Sequence, residues 1–229
     1  MGRRALPKID PDLDLSRHFL EAENLPPKLD PAALFGRDGA LEVEVGSGKG
    51  LFLAAASQLH PQRNFLGIEI SFKYARYAAA RLAKLRSPNA LIICGDGLAL
   101  FRNWIGDSSL AAIHVYFPDP WWKKRHRRRR VLNETFLKDV ERTLVAGGLL
   151  HFWTDVEEYF QTTLELIPRA TRLAGPLPVS EQAPQHDLDY RTHFERRTRL
   201  HELPVYRAEF RKDVPASLSS ASIDKPSDR

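Results

Sequence analysis

The amino-acid sequence predicts an α/β fold built on a doubly wound, mostly parallel sheet. From residue 41 onward, short apolar runs alternate with longer segments of helical periodicity, the pattern of strands joined by crossover helices. Residues 110–117, LAAIHVYF, are apolar almost throughout, as expected of a central strand covered on both faces. The alternation weakens after about residue 168, and residues 203–210 resemble a last, antiparallel strand. Such a sheet places the carboxyl ends of its strands, and any ligand site, along one edge.

Most predicted elements have a signal at one end. Residues 41–45, LEVEV, lead into a glycine-rich turn, and the helix after it ends before Pro61. Ser71 stands where it caps the second helix, and Gly147-Gly148 stands where a later helix ends. The predicted strands are 41–45, 64–70, 90–95, 110–117, 149–154 and 203–210. The predicted helices are 49–59, 71–86, 97–104, 131–144 and 156–167.

Residues 39–212 are predicted to form one domain, because a chain of 229 residues suits a single α/β unit with short extensions. Residues 1–38 are predicted to be an N-terminal extension, partly flexible, in which residues 15–23 favour a short helix. Residues 175–189 favour a polar loop, and residues 213–229, rich in Ser and Pro, favour a disordered tail.

The composition indicates a globular protein of a reducing compartment. Apolar residues make up 43% of the chain, and the single cysteine, Cys94, lies in an apolar strand and has no partner for an intrachain disulfide. No apolar run approaches the roughly 18 residues that span a bilayer, and the N-terminus lacks a secretory signal. The eight histidines have no metal-ligand spacing. We therefore expect a cytoplasmic protein without a metal or membrane segment, a monomer or homodimer with no obligate protein partner.

The positive charge is concentrated in one short segment. Residues 123–130 read KKRHRRRR and hold seven Lys or Arg, whereas the formal net charge of the whole chain is only +5. The rest of the chain is therefore slightly acidic. A local cluster of this kind favours a polyanionic partner. A solvated tract or a nuclear-localisation segment is the alternative, but neither explains why the cluster begins directly after a strand.

The turn after the first strand predicts a ligand with positive charge. Glu44 precedes the glycines Gly46, Gly48 and Gly50, which let the backbone turn tightly and approach a ligand. A dinucleotide fingerprint spaces its glycines as G-x-G-x-x-G, and here Leu51 stands at the third position. A carboxylate at Glu44 would repel a pyrophosphate, but it suits a ligand with ammonium and sulfonium groups. S-adenosylmethionine is such a ligand.

Two further acids follow the next two strands. Glu69 ends the second strand and can accept hydrogen bonds from both hydroxyls of a ribose. Asp96, between two glycines, ends the third strand and can accept from an adenine amino group. Taken alone, Glu69 is equally explained as a cap of the following helix, and Asp96 as an ordinary turn residue. Three acids at three successive strand ends favour a cofactor site.

The end of the fourth strand predicts a reaction site. Asp119 lies between two prolines that restrict its backbone, and Trp121 and Trp122 follow with flat faces for a base or for packing. The basic segment begins immediately after them. A positioned carboxylate, aromatic surface and phosphate-binding side chains therefore lie within about a dozen residues. The expected phosphate contacts are Lys124, Arg125, Arg127, Arg128, Arg129 and Arg130.

Several segments together resemble the tRNA (guanine-N7-)-methyltransferase family. The matching segments are EVEVGSGKG, NFLGIEIS, CGDG, YFPDPWWKKRH, FWTD and THFE. They run from about residue 41 to 212, and PDPW-x-K-x-R-H is the specific part, whereas the glycine loop is common to many methyltransferases. The family usually has a proline where Trp122 stands. The resemblance implies a Rossmann-like methyltransferase fold, S-adenosyl-L-methionine as cofactor, and N7 of a guanine in the variable loop of tRNA as target.

The resemblance also implies roles for individual residues. Glu44, Glu69 and Asp96 match the family's cofactor-binding acids. Asp119 matches the acid that lies at the cofactor and near the reacting centre, and we expect it to be catalytic by stabilising the positive charge of the methylated purine.

The implied substrate-binding residues lie further along the chain. Lys123 and Asp155 match residues that bind the substrate in the family. Thr192, His193, Phe194 and Glu195 match the T-x-x-E motif that closes over the guanine. By local pattern alone, Asp155 is also placed to cap a helix, and residues 192–195 form a capping box, roles that are compatible with substrate binding.

Three other functions were considered from the residues. A methyltransferase acting on a small molecule or protein would not need the basic segment, and its activity would not fall steeply with salt. An RNA-binding protein without chemistry would be expected to lose cofactor acids, and all three are present. An oxidoreductase using NAD conflicts with Glu44 and with the glycine spacing.

Overall fold

The computed structural model describes residues 6–179 and 204–214. Within them, eight strands form one sheet in the order β1-β4-β3-β2-β5-β6-β8-β7. The strands are β1 Phe19–Glu21, β2 Ala40–Val45, β3 Arg63–Glu69, β4 Ala90–Cys94, β5 Leu110–Tyr116, β6 Leu144–Thr154, β7 Ala174–Leu177 and β8 Tyr206–Arg211. The helices are α1 Pro31–Phe35, α2 Leu51–Leu59, α3 Phe72–Leu85, α4 Gly97–Asn103, α5 Glu134–Thr143 and α6 Glu157–Ala170.

The predicted fold class is confirmed. The pairs from β1 to β6 are all parallel, and β8 runs antiparallel to both β6 and β7. From the central strand β2, the chain winds outward through β3 and β4 on one side, and through β5 and β6 on the other. The order reverses between β2 and β5, and the carboxyl ends of these two strands are therefore the expected place for a ligand.

The side chains of β2 divide between two layers of helices. Val43 and Val45 belong to the apolar cluster that includes residues of α4, α5 and α6. The opposite face packs on α2 and α3, where Phe52, Leu53 and Ala79 are buried. Because successive side chains of a strand alternate between faces, Glu42 and Glu44 point toward the α2–α3 layer. The alternating pattern of residues 41–45, LEVEV, thus places two carboxyl groups in the interior of the protein.

The predicted helix over residues 15–23 is wrong. This segment contains the edge strand β1, followed by a 3-10 helix at Ala22–Asn24. The ring of His18 shares a hydrogen bond with the carbonyl oxygen of Ala90, and the N–H of Ile92 donates to the carbonyl oxygen of His18. Pairing with the open edge of β4 decides this structure, and local propensity does not report such a distant partner.

The prediction that Gly147-Gly148 ends a helix is also wrong. Helix α5 ends at Thr143, and β6 begins at Leu144, so that the glycines lie inside a strand. The pairing of β5 with β6 is irregular there, and the N–H of Gly147, which has a φ of 78°, donates to the carbonyl oxygen of Lys212. In a strand, glycine marks such a bulge rather than a helix end.

The last part of the fold differs in one respect from the prediction. Strand β8 is antiparallel, as predicted, and it lies between β6 and a further strand, β7, that was not predicted. The edge strand β7 occupies part of the segment predicted as a polar loop, and it contains Pro176, which an edge strand tolerates. In the part of the chain that the structure describes, no helix is long and apolar enough to cross a membrane.

Candidate active site

Glu44 lies at the point where the strand order reverses. It pairs in register with His114 of β5, and only 3% of its surface is exposed. Among the described residues, its Oε2 atom has no hydrogen-bond partner. Burial, with a further contribution from the negative charge of Glu69, raises the pKa of Glu44 to about 8. A buried carboxylate without a cationic partner is unfavourable, and a ligand that brings positive charge would relieve this cost.

The turn after Glu44 is shaped by glycine. Gly46 and Gly48 have φ values of 81° and 53°, in the left-handed region that favours glycine. The N–H groups of Gly46 and Ser47 both donate to the carbonyl oxygen of Ile68, which holds the turn against the end of β3. A Cβ atom at Gly46 would meet nothing within 4 Å, so this side of the turn faces open space.

Glu69 joins the turn to the next helix. One carboxylate oxygen accepts the N–H of Gly48 at 2.8 Å, and the other accepts the N–H of Ser71 at 2.8 Å. Ser71 is the N-cap residue of α3, as predicted, but its side chain makes no capping hydrogen bond; Glu69 instead accepts the N–H of Ser71 itself and so holds the residue at which the helix begins. Each oxygen keeps further acceptor capacity, so capping and the binding of ribose hydroxyls are compatible.

Asp96 begins α4 two residues after the end of β4. Its Oδ1 atom accepts the N–H of Leu98 at 2.9 Å, so the turn role considered for this residue is also present. Asp96 is exposed, and its second oxygen is directed neither to this cap nor to another described residue. Ile70 beside Glu69 is 74% exposed, an apolar surface at the same edge. Together these groups suit a nucleoside that carries a cationic tail.

The loop after β5 carries Asp119 in an unusual backbone conformation. Phe117 and Trp121, two residues on either side of Asp119, have φ values of 49° and 46°. The N–H of Phe117 donates to the carbonyl oxygen of Trp153 at 2.8 Å, which ties the loop to the end of β6. Asp119 itself is exposed. Non-glycine residues with positive φ are uncommon and concentrate at functional sites.

This loop forms an open pocket of about 450 Å³. Its lining residues are Asp119, Pro120, Trp121, Trp122, Lys123 and His126. Trp122 is 67% exposed, and the ring of Trp121 lies edge-on to His126 with centroids 6.0 Å apart. A carboxylate, flat aromatic surface and cationic groups thus meet in one place, as the sequence predicted.

The basic segment forms a 3-10 helix, Lys124–Arg129, that sequence reasoning left unassigned. Arg125, Arg128 and Arg129 are exposed, and the guanidinium of Arg129 lies 5.1 Å from the ring centroid of Trp121. Arg127 is exposed as well, although it forms an ion pair of 3.2 Å with Glu158. These side chains can reach a polyanion without the loss of a buried contact.

Arg130 differs from the rest of the segment. Its residue surface is only 7% exposed, and its guanidinium donates to Pro120, Glu158 and Thr162. The expected phosphate contact is therefore not supported for Arg130, because the side chain points inward and its donors are engaged by the protein.

The remaining residues predicted to bind substrate are only partly described by the structure. Asp155 follows the end of β6, but α6 has Val156 as its N-cap residue, and the N–H of Val156 donates to Oγ1 of Thr154. The predicted capping role of Asp155 is therefore wrong, and its carboxylate remains a candidate for substrate. Thr192, His193, Phe194 and Glu195 lie outside the described residues, as does the side chain of Lys124.

Sequence reasoning missed a buried polar network beneath the site. Oε2 of Glu42 lies 2.8 Å from Nε2 of His114, whose Nδ1 lies 2.8 Å from the hydroxyl of Tyr116. Burial opposes ionisation of Glu42, but the hydrogen bonds from His114 and Arg63 outweigh it and lower the pKa of Glu42 to about 2. The signal was present in the sequence, since alternation with apolar residues buries both Glu42 and His114.

A second cavity, of about 480 Å³, lies at the opposite edge of the sheet, beside the residues that precede β1 and β4. Arg17, His18 and Arg86 are among the residues that line it. None of the predicted site residues lines this cavity, so it is separate from the site described above.

Comparison with known proteins agrees with these observations. A family model described as "Putative methyltransferase" matches residues 38–208. The chain is 51% identical over 218 residues to a tRNA (guanine-N(7)-)-methyltransferase of Rhodopirellula baltica, covering 93% of this chain and 80% of that protein. It is 33% identical over 172 residues to a protein of the same name from Aeromonas hydrophila, covering 75% and 73%.

Solved structures support the fold. The aminoglycoside resistance methyltransferase NpmB1 matches with a TM-score of 0.53 at 17% identity, covering 81% of this chain and 94% of that chain. A SAM-dependent methyltransferase from Aquifex aeolicus also matches with a TM-score of 0.53, at 14% identity, covering 80% and 89%. At these identities the likeness concerns the Rossmann-like fold alone.

Proposed function

This chain belongs to the tRNA (guanine-N7-)-methyltransferase family, and from this premise we propose that it methylates N7 of a guanine in tRNA with S-adenosyl-L-methionine, giving 7-methylguanosine. One observation carries the proposal for this chain. The carboxylate of Glu44 is buried at the strand-order reversal, its Oε2 atom has no hydrogen-bond partner among the described residues, and the neighbouring strand β5 leads into the loop that forms the pocket of Asp119. The candidate cation site and the open pocket of about 450 Å³ therefore lie toward the carboxyl ends of two neighbouring strands, which supports the proposal.

The residues at the strand ends suit each part of this cofactor. Glu44 would face its cationic amino acid portion, and the open turn at Gly46 and Gly48 gives that portion room. Glu69 would accept the ribose hydroxyls, and Asp96 the adenine amino group. When bound, S-adenosylmethionine supplies a methyl group on a positively charged sulfur, and Asp119 is proposed to lie beside it.

The proposed methyl transfer requires mainly that the protein position the two reactants. N7 of guanine has a free lone pair, so no base has to remove a proton before the nitrogen–carbon bond forms and the carbon–sulfur bond breaks. Holding the two reactants at near-attack distance provides most of the acceleration. The purine becomes cationic, and the exposed carboxylate of Asp119 is proposed to stabilise that charge, with Asp155 or Glu195 as the next candidates.

The proposed substrate contacts divide into base and backbone contacts. Trp121 and Trp122 offer flat surface to a base that has left its stack, and Lys123 lines the same pocket. Thr192 and Glu195 would bind the edge of the guanine and select it against adenine, with His193 and Phe194 in the same segment. The exposed arginines at 125, 127, 128 and 129 would contact phosphates. We propose the variable loop as target and the cytoplasm as location.

The test uses tRNA from cells that lack this modification. Purified protein and methyl-labelled S-adenosylmethionine are added, the tRNA is digested, and the labelled nucleoside is identified. We expect label in 7-methylguanosine, formed far more slowly with Asp119→Asn and at the wild-type rate with the matched control Asp107→Asn, an exposed acid that pairs with Arg142 away from the pocket. Label in another nucleoside would reject N7 as the target. No label, despite cofactor binding, would point to a methyltransferase with a different substrate.

A further inference from the structure

The side chain of Arg130 is built into the protein although it ends the most basic segment of the chain. Its Nε atom donates to the carbonyl oxygen of Pro120 at 2.8 Å. Its two terminal nitrogens donate to Oε2 of Glu158 at 2.6 Å and to Oγ1 of Thr162 at 3.3 Å. The guanidinium carbon lies 4.4 Å from the ring centroid of Tyr159, close enough for a cation–π interaction.

These contacts join the loop of Asp119 and the end of the basic segment to helix α6. Pro120 is the neighbour of Asp119, and Glu158, Tyr159 and Thr162 all lie on one face of α6. Arg130 therefore spans from the loop that carries the proposed catalytic carboxylate to a rigid helix. Glu158 also pairs with Arg127 at 3.2 Å, so the same carboxylate holds the preceding part of the basic segment.

The loop needs such support because its backbone conformation is unfavourable by itself. Phe117 and Trp121 both have positive φ values, which residues other than glycine rarely adopt. Such conformations persist where surrounding contacts determine them. The hydrogen bond from Phe117 to Trp153 holds one end of the loop, and the hydrogen bond from Arg130 to Pro120 holds the other.

We propose that Arg130 is a positioning residue, which clamps the loop of Asp119 and the basic segment onto α6 so that catalytic carboxylate and phosphate-binding arginines keep one geometry. The proposal rests on the proposed function and assigns Arg130 a role different from that of the exposed arginines around it. Loss of Arg130 should therefore impair the chemical step, whereas loss of an exposed arginine should impair the binding of tRNA.

The chain offers a matched control for general damage to the fold. Arg142 is another arginine whose guanidinium bridges several groups: it donates to the carbonyl oxygens of Ile105 and Phe101 and to the carboxylate of Asp107. Arg142 lies just before the start of β6, at the end of the strands that is opposite the pocket. Its loss should lower stability without moving the loop of Asp119.

The experiment compares Arg130→Met, Arg128→Met and Arg142→Met with the wild type, measuring kcat and KM for tRNA at several salt concentrations. For Arg130→Met we expect kcat to fall roughly tenfold or more, while the salt dependence of KM stays nearly unchanged because every phosphate-binding arginine is still present. For Arg128→Met we expect KM to rise and the salt slope to shrink by about one, with kcat preserved. Arg142→Met should lower the melting temperature and keep kcat. The kcat of Arg130→Lys should fall nearly as far as that of Arg130→Met, because one ammonium group cannot replace the three hydrogen bonds of the guanidinium.

Limited digestion with trypsin gives a second readout that does not depend on activity. We expect cleavage within residues 123–129 to accelerate in Arg130→Met and in Glu158→Gln, and to remain at the wild-type rate in Arg142→Met. If Arg130→Met does not fold, Glu158→Gln serves in its place, because it removes one acceptor and keeps the arginine.

The proposal is overturned if Arg130→Met raises KM and reduces the salt slope at unchanged kcat, because Arg130 would then be a phosphate contact. It is also overturned if Arg142→Met loses as much kcat at an equal loss of stability, or if the cleavage rates do not change. A wild-type protein that forms no 7-methylguanosine would reject the proposed function instead, while the cleavage rates would still report on the clamp.

Discussion

The two halves of the proposed active site, one for the cofactor and one for the substrate, are built in different ways. The cofactor half uses residues at the ends of neighbouring strands: Glu44, Glu69 and Asp96 lie within two residues of their strands, and the nearby main chain holds Glu69 and Asp96. The substrate half is a loop and a basic segment whose geometry depends on α6, about 30 residues further along the chain. The first half therefore needs only the sheet, whereas the second needs contacts between distant segments.

The largest expected effect is on the chemistry of the substrate half. Asp119→Asn keeps the size of the side chain and removes the charge that would stabilise the methylated purine. We expect kcat to fall about 10²- to 10³-fold, as for the loss of one electrostatic contact to a transition state. Single-turnover transfer from labelled cofactor to tRNA measures it, with Asp107→Asn as the control. If Asp119→Asn turned over at the wild-type rate, the charge of Asp119 would have no part in the reaction.

The next largest expected effect is on the stability of the protein without cofactor, and it comes from the buried carboxyl group of Glu44. Because the pKa of Glu44 is raised to about 8, the folded protein holds this proton more tightly than the unfolded chain. Stability from this group is therefore complete below about pH 4.5 and is lost as the pH rises toward 8. Without cofactor near pH 8.5, Glu44→Gln should be more stable than the wild type by on the order of 2–4 kcal/mol. Urea unfolding of the wild type and Glu44→Gln at two pH values measures this difference. If the two proteins were equally stable at both pH values, Glu44 would not be buried in its charged form.

The same substitution should weaken cofactor binding. A cationic ligand favours ionised Glu44, so binding to the wild type releases a proton and tightens as the pH rises from about 6.5 to 8.5, by roughly tenfold. Titration of the ligand itself affects both proteins and cancels in their ratio. Glu44→Gln should bind about tenfold to a hundredfold more weakly near pH 8.5 and lose this dependence. A variant that keeps both the affinity and the pH dependence would place the cationic group elsewhere.

The smallest expected effect concerns the exposed arginines. Arg128→Ala or Arg125→Ala removes one phosphate contact of several, so KM for tRNA should rise by about two- to tenfold at moderate salt, and kcat should stay the same. The dependence of KM on salt concentration should become shallower by about one unit for each arginine removed. Unchanged slopes in both variants would indicate that tRNA approaches from another side.

The positions of the three acids at the strand ends were predictable from the sequence because the signals for them are local. A strand, a glycine turn and a helix follow one another within about 20 residues, so the position of Glu44 relative to Gly46 and Gly48 follows from the chain itself. Strand ends in a parallel sheet meet at one edge, which brings Glu69 and Asp96 to the same place. The central strands and their order of appearance were predictable for the same reason.

The features that the sequence did not predict all depend on distant partners. Strand β1 exists because β4 has an open edge, and β7 because β8 does. Arg130 differs from Arg128 and Arg129 only in having Glu158 and Thr162 of α6 within reach, and a run of like residues carries no sign of this. The buried network of Glu42 and His114 was readable in principle, since both alternate with apolar neighbours on central strands.

The measurement that tests the division between the two halves most directly is calorimetric titration of S-adenosylmethionine, without tRNA, into the wild type, Glu44→Gln and Arg130→Met. The account predicts that the wild type and Arg130→Met bind with affinities within about twofold of each other and release a proton, whereas Glu44→Gln binds more weakly and releases none. A loss of affinity in Arg130→Met as large as that in Glu44→Gln would contradict the account, because the cofactor half would then depend on the clamp as well.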